Sequence, residues 1–122
     1  MRDVSVLIIN FNERDVLTEC LRSLRTTIVR TQIIVVDNGS TDGSVEAVRK
    51  DFPEAELLVN RQNERFARPN NDAFAKAEGR YIFLLNNDTE VKPQALEILV
   101  EYLDRHQDVA MAGPQLLNPD GT

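Results

Sequence analysis

Residues 32–43, Gln32-Ile33-Ile34-Val35-Val36-Asp37-Asn38-Gly39-Ser40-Thr41-Asp42-Gly43, contain a complete strand-to-helix corner. After Gln32 come four β-branched apolar residues, the composition of a strand covered on both faces. Seven turn-forming residues follow, and they mark the point where the strand must leave the sheet. The spacing predicts a helix from about Asp42 to Lys50, capped by Ser40 or Thr41 and stopped before Pro53.

The same unit recurs on both sides. Val4-Ser5-Val6-Leu7-Ile8-Ile9 reads as a buried strand, and Val16, Leu17, Cys20, Leu21 and Leu24 follow at helical spacing. Glu56 to Asn60 reads as a third strand. Pro69 is suited to the first turn of a helix carrying Ala73, Phe74 and Ala77, with Gly79 placed to end it. Tyr81-Ile82-Phe83-Leu84-Leu85 is a fourth strand. Pro93 opens a helix with Leu96, Leu99, Val100 and Leu103 on one stripe, and a weaker fifth strand spans roughly Val109 to Gly113. This alternation predicts an α/β domain with a mostly parallel sheet and helices on both faces.

The chain of 122 residues fits one domain, residues 1–122. The sequence closes on Asn118-Pro119-Asp120-Gly121-Thr122, a hairpin-turn signal with no returning strand, so a truncated C-terminus is expected. The net charge of −6 disfavours nucleic acid as a partner, because phosphates are repelled on average. It does not exclude a nucleotide held at a local site. The single cysteine, Cys20, rules out an intrachain disulfide or a thiolate metal cluster; its place on the apolar stripe marks it as a small buried hydrophobe. No apolar run is long enough for a signal peptide or a membrane span, and a cytoplasmic location is the default expectation.

In open α/β sheets ligands bind beyond the carboxyl ends of the strands. Those ends carry Asn10, Phe11, Asn12 and Glu13; Asp37, Asn38, Gly39 and Ser40; Asn60, Arg61, Gln62 and Asn63; and Asn86, Asn87, Asp88 and Thr89. Amides can read the donor and acceptor edges of a nucleobase. A carboxylate can accept from a base N–H or a ribose hydroxyl, or hold Mg2+ or Mn2+ together with substrate phosphates. Neither a P-loop nor a Gly-x-Gly-x-x-Gly turn is present.

Four motifs in this order resemble family 2 glycosyltransferases. Val35 to Ser44 is similar to the family's nucleotide-binding motif, and Asn10-Phe11-Asn12 to its opening motif. Asn63-Glu64-Arg65-Phe66-Ala67-Arg68-Pro69-Asn70-Asn71 is similar to its Asn-x-Gly-Phe-Ala-x-x-Asn-Asn segment. Leu84-Leu85-Asn86-Asn87-Asp88-Thr89 resembles its Asp-x-Asp-type metal motif, in the form of rhamnosyltransferase-like members. The resemblance implies a GT-A fold and inverting transfer of a hexosyl or rhamnosyl group from a nucleotide-diphosphate sugar to a glycan or lipid-linked saccharide. It implies polysaccharide biosynthesis for the cell envelope, with peripheral membrane association through regions outside this chain. By it, Asp37 holds the base or ribose, the backbone around Phe11 lines the nucleobase pocket, and Asp88 holds the metal. Asn10, Asn12, Asn38, Arg65, Asn71 and Asn87 complete the donor site. Arg65 departs from the family's glycine; its guanidinium can clamp a diphosphate or block the usual backbone approach. The general base is expected beyond Thr122, so this chain should bind donor weakly and transfer sugar poorly.

Plainer roles compete at each position. Asp37 suits a turn, Asp88 a helix N-cap, and Asn10 and Asn12 the cap of the first helix. Asp42 suits an acid at a helix N-terminus, and Glu13 is open to the same reading. Arg65 and Arg68 suit solvated charges. His106 suits a helix C-terminus and has no catalytic assignment. Two other functions are open: a non-catalytic nucleotide-sugar-binding module and a receiver-type signalling domain. The receiver would need a carboxylate pair after the first strand and a lysine after the fifth. A nucleotidyltransferase would need a Gly-rich loop after the first strand, where Asn12-Glu13-Arg14-Asp15 stands.

Overall fold

The computed structural model describes residues 4–25, 30–60 and 75–106. Seven elements alternate along them: β1 (Val4–Asn10), α1 (Arg14–Leu24), β2 (Thr31–Asp37), α2 (Ser44–Asp51), β3 (Ala55–Val59), β4 (Tyr81–Asn86) and α3 (Ala95–Arg105). The strands form one parallel sheet in the order β3-β2-β1-β4. The helix expected from Pro69 falls mostly outside the described residues, and the fifth strand at Val109 to Gly113 falls entirely outside them.

The strand period of two sorts β1 between two cores. Val4, Val6 and Ile8 face one way with Ile33, Val35 and Leu85, and onto them pack Leu17, Cys20, Leu21 and Leu24 of α1, Val48 of α2 and Leu96 of α3. Leu7 and Ile9 face the other way with Ile34, Val36 and Leu58, against Ala77. All three described helices therefore share one face. The steps from β1 to β2 and from β2 to β3 run the same way across the sheet, so right-handed crossovers put α1 and α2 on the same face. Ala77, shortly before β4, packs on the other face.

Several local expectations change. Val16 is on the exposed side of α1, and Leu99 is half-buried rather than central. The residue before α2 is Gly43, at φ 91°, and neither Ser40 nor Thr41 caps the helix. Asp42 serves instead: its Oδ1 accepts from the Ser44 amide at 3.0 Å, and its Oδ2 accepts from the Arg14 amide at 2.9 Å, so one carboxylate satisfies the first turns of two helices. Pro93 does not open α3; the chain turns through Gln94, at φ 71°, before the helix begins.

Gly79 also differs from expectation, since no left-handed φ is found there. It is needed for close approach: a Cβ would sit 2.5 Å from the Ser5 nitrogen. Beneath it Ser5 and Gln32, fully buried register partners, form a polar pin. The Ser5 hydroxyl donates to Gln32 Oε1, the Glu78 and Gly79 amides donate to Ser5 Oγ, and Gln32 Nε2 donates to the Lys76 carbonyl. Every one of these buried polar groups has a partner, which makes the pin stable. Among the described residues no helix is long and apolar enough to cross a membrane.

Candidate functional site

The sheet order reverses at β1, because β2 and β3 lie to one side and β4 to the other. The carboxyl ends of β1 and β4 therefore flank a topological switch point, the usual crevice for a ligand in such sheets. Register brings the ends level: Asn10 pairs with Asp37, and Ile9 with Asn86.

Asp37 is 1% exposed, and its carboxylate accepts four hydrogen bonds. Asn10 Nδ2 at 3.0 Å and the Ser40 hydroxyl at 2.7 Å meet Oδ1, while the Gly39 and Ser40 amides meet Oδ2 at 3.2 and 2.8 Å. A carboxylate has about four acceptor positions. In this arrangement all are used, and Asp37 shapes the loop from Asn38 to Asp42 from beneath.

Ser40 is the hub of that loop. Its hydroxyl donates to Asp37 and accepts from Asn10 Nδ2 at 3.3 Å and from the Asn12 amide at 2.8 Å. Asn12, at φ 51°, returns the tie by accepting from the Thr41 amide at 2.7 Å. Asn12 thus joins the loops after β1 and β2 and does not cap α1. Between the two tethered asparagines, the Phe11 side chain is 42% exposed, an apolar surface held at the strand ends. Asn38 is 4% exposed; its amide donates to the Asn10 carbonyl and its Oδ1 accepts from Asn60 Nδ2 at 3.1 Å.

On the other side of β1 lies a cleft of about 310 Å³ lined by Leu7, Ile9, Glu13, Leu84, Leu85, Asn86, Asn87 and Asp88. The Thr89 amide donates to the Asn86 carbonyl at 3.1 Å, and this turn presents Asp88 to solvent. The Asp88 side chain accepts no hydrogen bond among the described residues. Its charge reaches Cys20 behind the turn: burial first, and Asp88 second, push that thiol up to about 12. At 1% exposure Cys20 is an inert core group, with its Sγ 3.9 Å from the Asn86 carbonyl oxygen.

Asp37 and Asp88 thus stand at the same end of the sheet, but only Asp88 lines the cleft. Asn10, wholly buried, connects them: its Nδ2 meets Asp37, and its Oδ1 accepts from Asn87 Nδ2 at 3.0 Å. The structure brings Asn10, Phe11, Asn12, Asp37, Asn38, Asn87 and Asp88 to this end. Arg65 and Asn71 lie outside the described residues. Two participants, Ser40 and Glu13, stand among the polar strand-end residues of the sequence but carry no site role there. Ser40 stands three residues after Asp37, the offset at which an aspartate closes a turn onto its own backbone, but by type and position it reads as a helix cap. Glu13 carries no signal that sets it on the cleft wall.

A family model for Glycosyl transferase family 2 matches residues 5–121. The chain is 30% identical to chondroitin synthase of Pasteurella multocida (strain Pm70) over 98% of its own length and 13% of that protein. It is 29% identical to the putative teichuronic acid biosynthesis glycosyltransferase TuaG of Bacillus subtilis (strain 168), over 98% of this chain and 49% of that one. The chain therefore spans half or less of the length of these relatives. Among solved structures, S. aureus TarS in complex with UDP superposes with a TM-score of 0.72 at 25% identity, covering 93% of this chain and 38% of that one. The mannosyltransferase PcManGT of Pyrobaculum calidifontis, in complex with GDP-Man and Mn2+, gives 0.71 at 26% identity, covering 84% and 33%. The parallel sheet, the level strand ends and these matches agree on the GT-A fold, and the chain belongs to glycosyl transferase family 2.

Proposed function

We propose that this chain forms the donor-binding part of an inverting glycosyltransferase, which moves a hexosyl or rhamnosyl group from a nucleotide-diphosphate sugar to an acceptor hydroxyl. The observation that carries this reading is the exposed Asp88 carboxylate in the cleft at the switch point, level with the ordered loop after β2. A Mg2+ or Mn2+ ion takes one or two carboxylates plus substrate phosphates. Asp88, beside Asn86 and Asn87, fits that demand. Among the described residues no group of three or more His, Cys, Asp or Glu could hold a metal, so the donor's phosphates and water would complete the shell. When bound, the cation supplies charge neutralisation on the departing diphosphate.

The residues divide the remaining work. The loop ordered by Asp37 offers backbone groups to the nucleoside, and the exposed Phe11 ring offers a flat apolar surface to the base. Asp37 acts through the loop it shapes. An acceptor hydroxyl, deprotonated by a carboxylate base, attacks the anomeric carbon from the face opposite the leaving diphosphate. A glycan or lipid-linked saccharide acceptor, and a place at the inner face of the cell membrane, suit similarity to a putative teichuronic acid biosynthesis glycosyltransferase.

The test is a titration with UDP, GDP and dTDP, each with and without Mn2+, repeated on Asp88→Ala. One diphosphate should bind more tightly with metal, and the substitution should remove that gain. Affinity indifferent to both metal and substitution would sink the assignment.

A further inference from the structure

Two side-chain amides between Asp37 and the cleft, Asn10 buried and Asn87 half-buried, carry directional information. A carboxylate can only accept. Asp37 Oδ1 therefore admits only the NH2 end of the Asn10 amide, 3.0 Å away. That forces Asn10 Oδ1 toward Asn87, where an oxygen admits only the NH2 end of the second amide, again at 3.0 Å. The Asn87 oxygen is left over. It accepts no hydrogen bond among the described residues, and its residue lines the cleft beside Asp88. Asn10 is 0% exposed and both its Nδ2 protons are committed, to Asp37 and to Ser40, so it has no group to offer a ligand.

We propose that Asn10 is a positioning residue which, keyed by Asp37, turns the Asn87 amide so that its oxygen joins Asp88 as a ligand for the divalent cation. The inference rests on the cation site at Asp88 and goes further, since it assigns a metal-directed role to two residues that do not touch the metal. An oxygen pair is what a hard cation takes, whereas an NH2 group turned toward it would repel it.

Asp37→Asn gives the sharpest test. The Gly39 and Ser40 amides cannot reverse, so the amide introduced by this substitution must keep its oxygen toward them and turn its NH2 to Asn10. Asn10 then flips, Asn87 flips in turn, and an NH2 group faces the cleft. Each site keeps a hydrogen-bond partner, so the fold survives while the polarity of the relay inverts. Binding of Mn2+ in the presence of UDP, followed by EPR, should weaken by about 10–100-fold, the usual cost of losing an outer partner of a metal ligand. Asn87→Ala should weaken it comparably, and the double variant should bind no more weakly than Asn87→Ala alone. Effects that multiply, as loss of the Asp37 charge alone would produce, or an Asp37→Asn variant within twofold of wild type, would overturn the relay. Asp88→Ala separates the two readings: if it leaves Mn2+ binding intact, the cation site falls and the relay falls with it; if it abolishes binding while Asp37→Asn does not, only the relay falls. Should Asp37→Asn fail to fold, the wild-type protein still decides. The Asn87 side-chain proton bonded to Asn10 Oδ1 should exchange more slowly with solvent than its geminal partner and remain so when Mg2+ is added, because the oxygen meets the ion; fast exchange of that proton in either state would refute the orientation.

Discussion

Replacing Gly79 by alanine places a methyl carbon 2.5 Å from the Ser5 nitrogen and 2.6 Å from the Val4 carbonyl carbon, almost an ångström short of ordinary contact. The neighbours are backbone atoms of the central strand, paired on both sides, so they cannot yield. Relief must come from residues 77–80 lifting off the sheet. That movement strips the Glu78 and Gly79 amides from Ser5 Oγ and Gln32 Oε1. Overpacking of this kind costs about 1–3 kcal/mol, and an unsatisfied buried polar group about 1–3 kcal/mol more. Because lifting relieves part of the clash, we expect a net loss of about 3 kcal/mol. Urea unfolding followed by circular dichroism measures this; at a slope of about 1.5 kcal/mol/M the midpoint should fall by about 2 M with the slope unchanged. A midpoint within about 0.3 M of wild type, at the same slope, would show that Gly79 does not sit against β1 as described.

Other outcomes follow from the same packing. Cys20, with its thiol pushed up to about 12 by burial and by Asp88, should resist a thiol reagent at pH 8 in the native protein and react fully once urea unfolds it. The Asp42 carboxyl is pushed up by desolvation, but hydrogen bonds from Ser44 and Arg14 outweigh this and leave it below its usual value. A depressed folded value means stability present above the unfolded carboxylate range, near pH 4, and lost as pH falls through the folded value. Melting temperature against pH should thus decline below about pH 4, and Asp42→Asn should decline less steeply there. Gly43→Ala meets only the Arg14 side chain, Nη1 at 3.3 Å and Cδ at 3.7 Å, so its cost is mainly the left-handed φ, about 1 kcal/mol by thermal unfolding.

How far the sequence could be read depended on the range of the interaction. The strands were legible because a run such as Ile33-Ile34-Val35-Val36 can be stable only where both faces are covered, and that requirement is local. The α1 stripe was legible for the same reason, although periodicity assigns Val16 to the core when it lies at the edge of the stripe. Capping was legible only in part: Asp42 reads as an acid at a helix N-terminus, which it is, but nothing local shows that it serves two helices. Ser40 and Thr41 are good caps by type, yet Ser40 is drawn off by Asp37, Asn10 and Asn12, and Asp42 takes the caps of two helices.

By itself the sequence determined that there is an α/β domain with polar strand ends, since residue composition and period dictate which segments bury and which turn. It also marked Asp37 and Asp88 as the carboxylates worth watching. Only the tertiary structure decided the surroundings of each one. Whether a carboxylate faces solvent or is saturated by donors depends on partners 27 or 77 residues apart along the chain, such as Asn10 with Asp37 and with Asn87. Those partners meet only because parallel pairing in the order β3-β2-β1-β4 sets the strand ends side by side. Neighbours in the sequence say nothing about that distance, so exposure, hydrogen-bond saturation and the direction of an amide are properties of the folded sheet.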